Sequence, residues 1–142
     1  MRGEDWIMGY YIATTLPLSF EETIARTEVA LEEEGFGIIS RIDIQQALKT
    51  KIGIDFRPYT ILGACNPALA HEALKLEDKV GTMLPCNLVV QALADRSSEV
   101  AAIDPVASMR AIENPQLVEV AKEVRQRLSR VIESLKTEAE PG

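Results

Sequence analysis

The chain is poor in the side chains that carry covalent and metal chemistry. Its 142 residues include two cysteines, Cys65 and Cys86, and one histidine, His71. A structural zinc site within one chain usually takes four ligands in close-spaced pairs, and these cysteines stand 21 positions apart. No metal is therefore expected, unless a dimer or an added Asp or Glu completes a site. A cysteine nucleophile also needs a base and a group to orient that base. His71 comes six residues after Cys65, too far along a helix to meet a thiol placed before it. There is no Gly-rich phosphate loop, Ser-centred elbow or two-histidine motif.

A basic excess is missing as well. Lys and Arg number 15 against 22 Asp and Glu, giving a net charge of -7, with -4 in residues 1–71 and -3 in the remainder. A phosphate-backbone binder needs a basic face, so neither nucleic acid nor an anionic membrane is an expected partner. Long apolar runs are absent too. The stretch from Trp6 to Leu18 is broken by Gly9, Thr14, Thr15 and Pro17 and preceded by Glu4 and Asp5, which suits neither a membrane span nor a signal peptide. The reading is a cytoplasmic protein, in which a Cys65–Cys86 disulfide would be uncommon.

What remains is an ordinary globular composition, 46% hydrophobic and 26% charged, of a length that suits one core. Residues 7–16 are aromatic and β-branched and read as a strand. Ser19 with Glu22 fits a capping box, Phe20, Ile24, Thr27 and Leu31 recur at helical spacing, and Gly35 supplies a left-handed stop, predicting a helix over 20–34. Residues 36–44 read as a second strand with Ile38, Ile42 and Ile44 on one face. Asp43 and Gln46 start a short helix that Gly53 ends. Residues 55–65 read as a third strand, after which Asn66 and Pro67 announce a short helix over 67–76.

Residues 80–93 read as a strand, 94–99 as a turn and 100–104 as the returning strand of a hairpin. Asn114-Pro115 opens a last helix to about Leu135, striped by Leu117, Val120, Val124, Leu128, Val131 and Leu135. Most connections between strands are too short for parallel crossovers. The expectation is an α+β domain with a curved antiparallel sheet of about five strands and helices on one face, in a helix-grip, TATA-binding-protein-like topology. Residues 1–8 form an N-terminal extension, 9–136 the domain and 137–142 a frayed tail.

The words "SFEETIARTEVALEEEGFGIISRID", "KIGIDFRPYTILGACNP", "VGTMLPCNLVV", "AIDPVASM" and "ENPQL" occur in order across about residues 9–135. Together they resemble the domain of unknown function 302 family. The resemblance implies a small α+β fold of the helix-grip kind and a homodimer, and brings no reaction with it. It also makes Asp104-Pro105 a landmark.

The candidate cluster is Cys65, Asn66, Cys86, Asn87, Arg57 and Asp104. Cys65 precedes a helix N-terminus, where unpaired amides and the dipole stabilise a thiolate. It is equally a small residue at a tight strand-to-helix junction. Strand alternation places Cys86 with Leu84, Leu88 and Val90 on a core face and turns Asn87 the other way. Pro85 belongs to an edge, a strand start or a bulge. Arg57 suits a carboxylate ligand, or a structural pair with Asp55, Asp43 or Asp104. Helix 19–34 carries -5 and residues 115–136 carry +2, so these helices are expected near each other.

Three functions fit these residues. The first is a homodimeric binder of a small molecule held between sheet and long helix, with no cofactor indicated; a pocket there is its sign. The second is a thiol-dependent enzyme or redox sensor centred on Cys65, which requires a base beside the thiol. The third is a protein–protein interaction module, marked by an apolar face larger than a dimer needs.

Overall fold

The structure, a computed structural model, describes residues 9–139, with side chains to Lys136. The expected extension 1–8 and the end of the tail, 140–142, lie outside the described residues. Eleven elements follow one another: β1 (Tyr11–Leu16), α1 (Phe20–Glu33), β2 (Gly37–Asp43), α2 (Ile44–Ile52), β3 (Tyr59–Cys65), α3 (Pro67–Leu76), a 3-10 turn (Asp78–Met83), β4 (Cys86–Ala92), β5 (Ser98–Ile103), α4 (Pro105–Ser108) and α5 (Pro115–Ala139). The five strands form one open antiparallel sheet in the order β1-β5-β4-β3-β2. The α+β reading holds.

Local chemistry explains the boundaries. Ser19 Oγ accepts from the Glu22 amide at 3.1 Å and starts α1. Thr23 and Thr27, both fully buried, donate their hydroxyls to the carbonyls of Ser19 and Thr23, so neither is left unsatisfied. At the other end Gly35 adopts φ +85°, its amide donates to Glu32 and that of Phe36 to Leu31, which is the Schellman stop. Asp43 and Gly53 frame α2 in the same manner, with Gly53 at φ +70°.

Four local readings are corrected. Strand β3 begins at Tyr59, not Asp55, because Pro58 offers no amide to the ladder. Residues 80–83 are part of the 3-10 turn rather than a strand, and β4 begins only after the cis Leu84–Pro85 bond. A bulge between Ile38 and Ser40 shifts the register of β2, so Ile38 faces Ala64 on the core side while Ile42 faces Ile61 on the other, and Ile44 already opens α2. Helix α5 runs on to Ala139, past Leu135.

One face of the sheet presents Leu62, Leu88, Val90, Val100 and Ala102, and α1 and α5 close over it with Leu31, Leu128, Val131 and Leu135. The charge expectation for the two helices is met. Arg130 Nε pairs with Glu34 Oε1 at 2.9 Å, and Arg127 Nη1 donates to the Glu34 carbonyl at 3.1 Å. Exposed pairs contribute only about 0–1 kcal/mol each, so they orient the helices while apolar burial holds them. A second, smaller cluster joins Ala73 of α3, Val80, Met109, and Leu117 and Ala121 of α5. Among the described residues, no helix is long and apolar enough to cross a membrane.

Candidate functional site

Where the two clusters meet, the ends of β3 and β4 and the helices α3 and α5 enclose a cavity of about 290 Å³. Asn66 ends β3 there: its Oδ1 accepts from the Leu69 amide at 3.1 Å, and Pro67 occupies the first helical position. Helix α3 then presents Leu69, Ala70, Ala73 and Leu74 to the cavity, α5 presents Val120, Ala121 and Val124, and Phe36 and Ile39 complete the side nearest β2. Two wider hollows, of about 650 Å³ beside Pro17–Phe20 and about 470 Å³ beside Glu28, Glu32 and Arg41, are shallower and more polar. The second is crossed by the Glu28–Arg41 ion pair. The small cavity is the better site because apolar walls and few polar groups make a selective pocket.

Both cysteines are among the residues that line it. Ala64 and Cys86 are direct partners across β3 and β4, so Cys65 lies one residue beyond that pair. Cys86 is 7% exposed, as its core-face placement predicts, and burial pushes its thiol up to about 11, with the neighbouring charge of Cys65 as a second cause. It is a protonated thiol at neutral pH. Cys65 is half-buried, and neither cysteine is in a disulfide.

The register of these strands depends on Gly63. A Cβ there would stand 2.1 Å from Ser40 Oγ and 2.8 Å from Pro85 Cγ, so only glycine lets both side chains lie across β3. Pro85 is both a neighbour of Gly63 and part of the cavity wall.

The six candidate residues do not converge. Cys65, Asn66 and Cys86 share the cavity. Asp104 stands behind its wall: 5% exposed, it caps α4 by accepting from the amides of Val106 and Ala107, and its Oδ2 lies 3.5 Å from Arg125 Nε. This holds Pro105 and Met109 against the cavity. Asn87 is exposed opposite Gly63, on the face turned away from α1 and α5. Arg57 precedes the far end of β3, where its Nε donates to Gln91 Oε1 at 2.8 Å and its guanidinium stacks 4.4 Å from the Phe56 ring centre. Asp55 pairs instead with Lys49, Asp104 with Arg125, and Asp43 caps α2.

Sequence reasoning missed Met109 and the alanines that leave the space. The signal available was "PALAHEALKL", where Ala70 and Ala73 interrupt a leucine stripe, and Ala121 within the bulky stripe of α5. His71 is exposed and does not line the cavity. Among the described residues, no three His, Cys, Asp or Glu side chains gather as metal ligands.

The family model described as "Domain of unknown function DUF302" matches residues 12–135. The crystal structure of an uncharacterized conserved protein DUF302 from Bacillus stearothermophilus is similar, with 30% sequence identity and a TM-score of 0.81 over 87% of this chain and 96% of that one. No curated protein matches the chain significantly. The matched span opens at Ile12 in β1 and closes at Leu135, a buried residue of α5, so it takes in every strand and the cavity between them and the helices: the chain belongs to the DUF302 family.

Proposed function

We propose that the domain is a binding protein that takes a compact, largely apolar molecule into the cavity between the ends of β3 and β4 and the helices α3 and α5. The observation that carries this reading is the cavity itself, about 290 Å³ and walled mostly by aliphatic residues, with Cys65 and Cys86 among its lining. That volume is at the lower end of the range for ligand sites, which suits a molecule smaller than most drugs. The helix-grip arrangement belongs to the same reading, with α1 and α5 gripping one face of the sheet and the binding space at the seam. Two free thiols fit a cytoplasmic setting.

The test is binding of an apolar fluorescent probe to the purified protein, alongside Ala73→Leu, which places a larger side chain in the wall. Probe binding by the native chain, lost in Ala73→Leu, is the expected result. A probe that ignores the native chain, or binds both equally, overturns it.

The homodimer rests on a different observation. Ala13, Ala101, Val89, Ile61 and Ile42 stand in register as one apolar row across all five strands, on the face turned away from α1 and α5. Ile42 is 47% exposed. A two-fold contact there would cover that row in both copies. Sedimentation at micromolar concentration should give twice the chain mass, and Val89→Asp should return it to one; a native monomer rejects the dimer. The thiol-enzyme reading gains no comparable support, since among the described residues no base lines the cavity beside either cysteine.

A further inference from the structure

We propose that a second copy of the chain docks on the sheet face turned away from α1 and α5 with the two-fold axis along β4, so that Arg57 meets Glu99 of the partner subunit. The inference rests on the homodimer reading and adds to it how the two surfaces pair. Strand β4 is the middle strand of five. Across it the apolar row runs Ile42, Ile61, Val89, Ala101, Ala13, from two large side chains through a medium one to two small ones. Rotation about β4 lays β3 over the partner's β5 and β2 over its β1. Ile61 then meets Ala101 of the partner subunit, Ile42 meets Ala13 of the partner subunit, and Val89 meets its own copy. Large faces small, so the gap between the sheets keeps an even thickness. Rotation about the row itself would set isoleucine on isoleucine at one edge and alanine on alanine at the other, and the wedge left at the alanine edge would forfeit its packing contacts. Aligned sheets cross at about 30°, so the fit is closest at β4 and its two neighbours.

Charge gives the same axis from different residues. Gln91 and Glu99 are direct partners across β4 and β5, and each alternates with a buried valine, Val90 or Val100, which puts both on the outer face. Arg57 reaches them from the β3 side: its Nε donates to Gln91 Oε1 at 2.8 Å, and Gln91 Nε2 donates to Glu99 Oε1 at 3.0 Å. The neutral amide thus stands between a cation and an anion. Among the described residues neither Arg57 nor Glu99 has an ion-pair partner, and the Nη atoms of Arg57 meet no acceptor. Stacking of the guanidinium 4.4 Å from the Phe56 ring centre fixes its plane, so its free edge is held ready. The rotation about β4 that matches large to small also carries Glu99 of the partner subunit to the Arg57 side, and completes the pair in both copies.

The experiment is sedimentation of the whole chain, of Arg57→Glu, of Glu99→Arg, and of an equimolar mixture of the two variants. Each variant alone sets like charges against each other twice and should raise the dimer dissociation constant by at least about tenfold. The mixture pairs opposite charges at both contacts and should restore association as a heterodimer, an outcome that a folding defect in either variant would not produce. A second measurement reads the apolar row: Ile61→Cys mixed with Ala101→Cys should give an oxidised link between those two positions in different chains, while neither variant links to itself there. The proposal is overturned if the single variants associate like the native chain, if mixing restores nothing, or if Ile61→Cys links to its own copy at that position. A native monomer would remove the homodimer reading together with this pairing. A native dimer whose variants fail to rescue each other would remove the pairing alone.

Discussion

Helix α5 passes through two environments. Its C-terminal half places Leu128, Val131, Ile132 and Leu135 on the sheet, where they are nearly or fully buried against strand residues that repeat every second position. Its N-terminal half meets α3, the 3-10 turn and α4 through Leu117 and Ala121, with Val120 and Val124 only partly covered. A regular sheet offers a regular surface, and a helix with a three-and-four stripe fills it. Three short elements offer no such surface, and alanines at Ala70, Ala73 and Ala121 leave the space unfilled. The lesson is that one helix can serve as core and as pocket wall, with the change made by its partners.

The harshest way to break this comparison is the same deletion on both sides of the seam. Leu128→Ala, against the sheet, should cost about 2–5 kcal/mol in urea unfolding, since the removed volume cannot be refilled. Leu69→Ala borders space that is already there and should cost clearly less. Equal losses would mean that both regions are packed alike.

Alkaline titration sharpens it next, because Cys86 belongs to the main core while facing the cavity. Its thiol ionises at an ordinary 9.0 in the unfolded chain and near 11 in the folded one. Between those values the unfolded chain has released a proton that the folded chain keeps, so stability is intact below pH 9.0 and falls as pH rises toward 11. The loss should approach roughly 2–3 kcal/mol. Chemical denaturation across that range should show the slope, and Cys86→Ala should abolish it. Native alkylation should label half-buried Cys65 first and Cys86 only on opening.

Two smaller effects follow. Gly63→Ala forces a Cβ against Ser40 and Pro85 and should cost about 1–3 kcal/mol, read as a lower thermal midpoint. Asn66→Ala removes the cap of α3 and should cost about 1 kcal/mol, with the loss confined to faster amide exchange in α3. Global destabilisation by Asn66→Ala would show that the two regions unfold as one unit.

The regular region was readable from residue spacing. The cap at Ser19, the stop at Gly35, the alternation of Cys86, Leu88 and Val90 and the stripe of α5 each express a local rule, and the structure keeps them. The seam was only half readable. Asn66 announced its cap and Cys86 its burial, yet the cavity that Cys65, Cys86 and Met109 help to line depends on a strand register and a one-turn helix that no local rule sets. Ile42 was misplaced for the same reason, since the bulge at Ile38/Ser40 reverses faces without changing the pattern of residue types. Arg57 was assigned carboxylate partners by charge, but side-chain reach across β4 gave it Gln91.

The strand order has a consequence for how the chain assembles. Strands β2 to β5 pair with their immediate successors, so that part of the sheet can grow by closing loops of modest length. Strand β1 lies beside β5, pairing Tyr11 with Ile103, and must wait for β5 itself to be synthesised and placed. Closing that long loop is entropically dearer than any other step. The earliest-made strand of this sheet is therefore expected to be the last to join it, leaving the free edge of β5 open to wrong pairing in the interval. Pulse-labelled hydrogen exchange during refolding should find the β3 and β4 amides protected before those of β1; simultaneous protection would contradict this order.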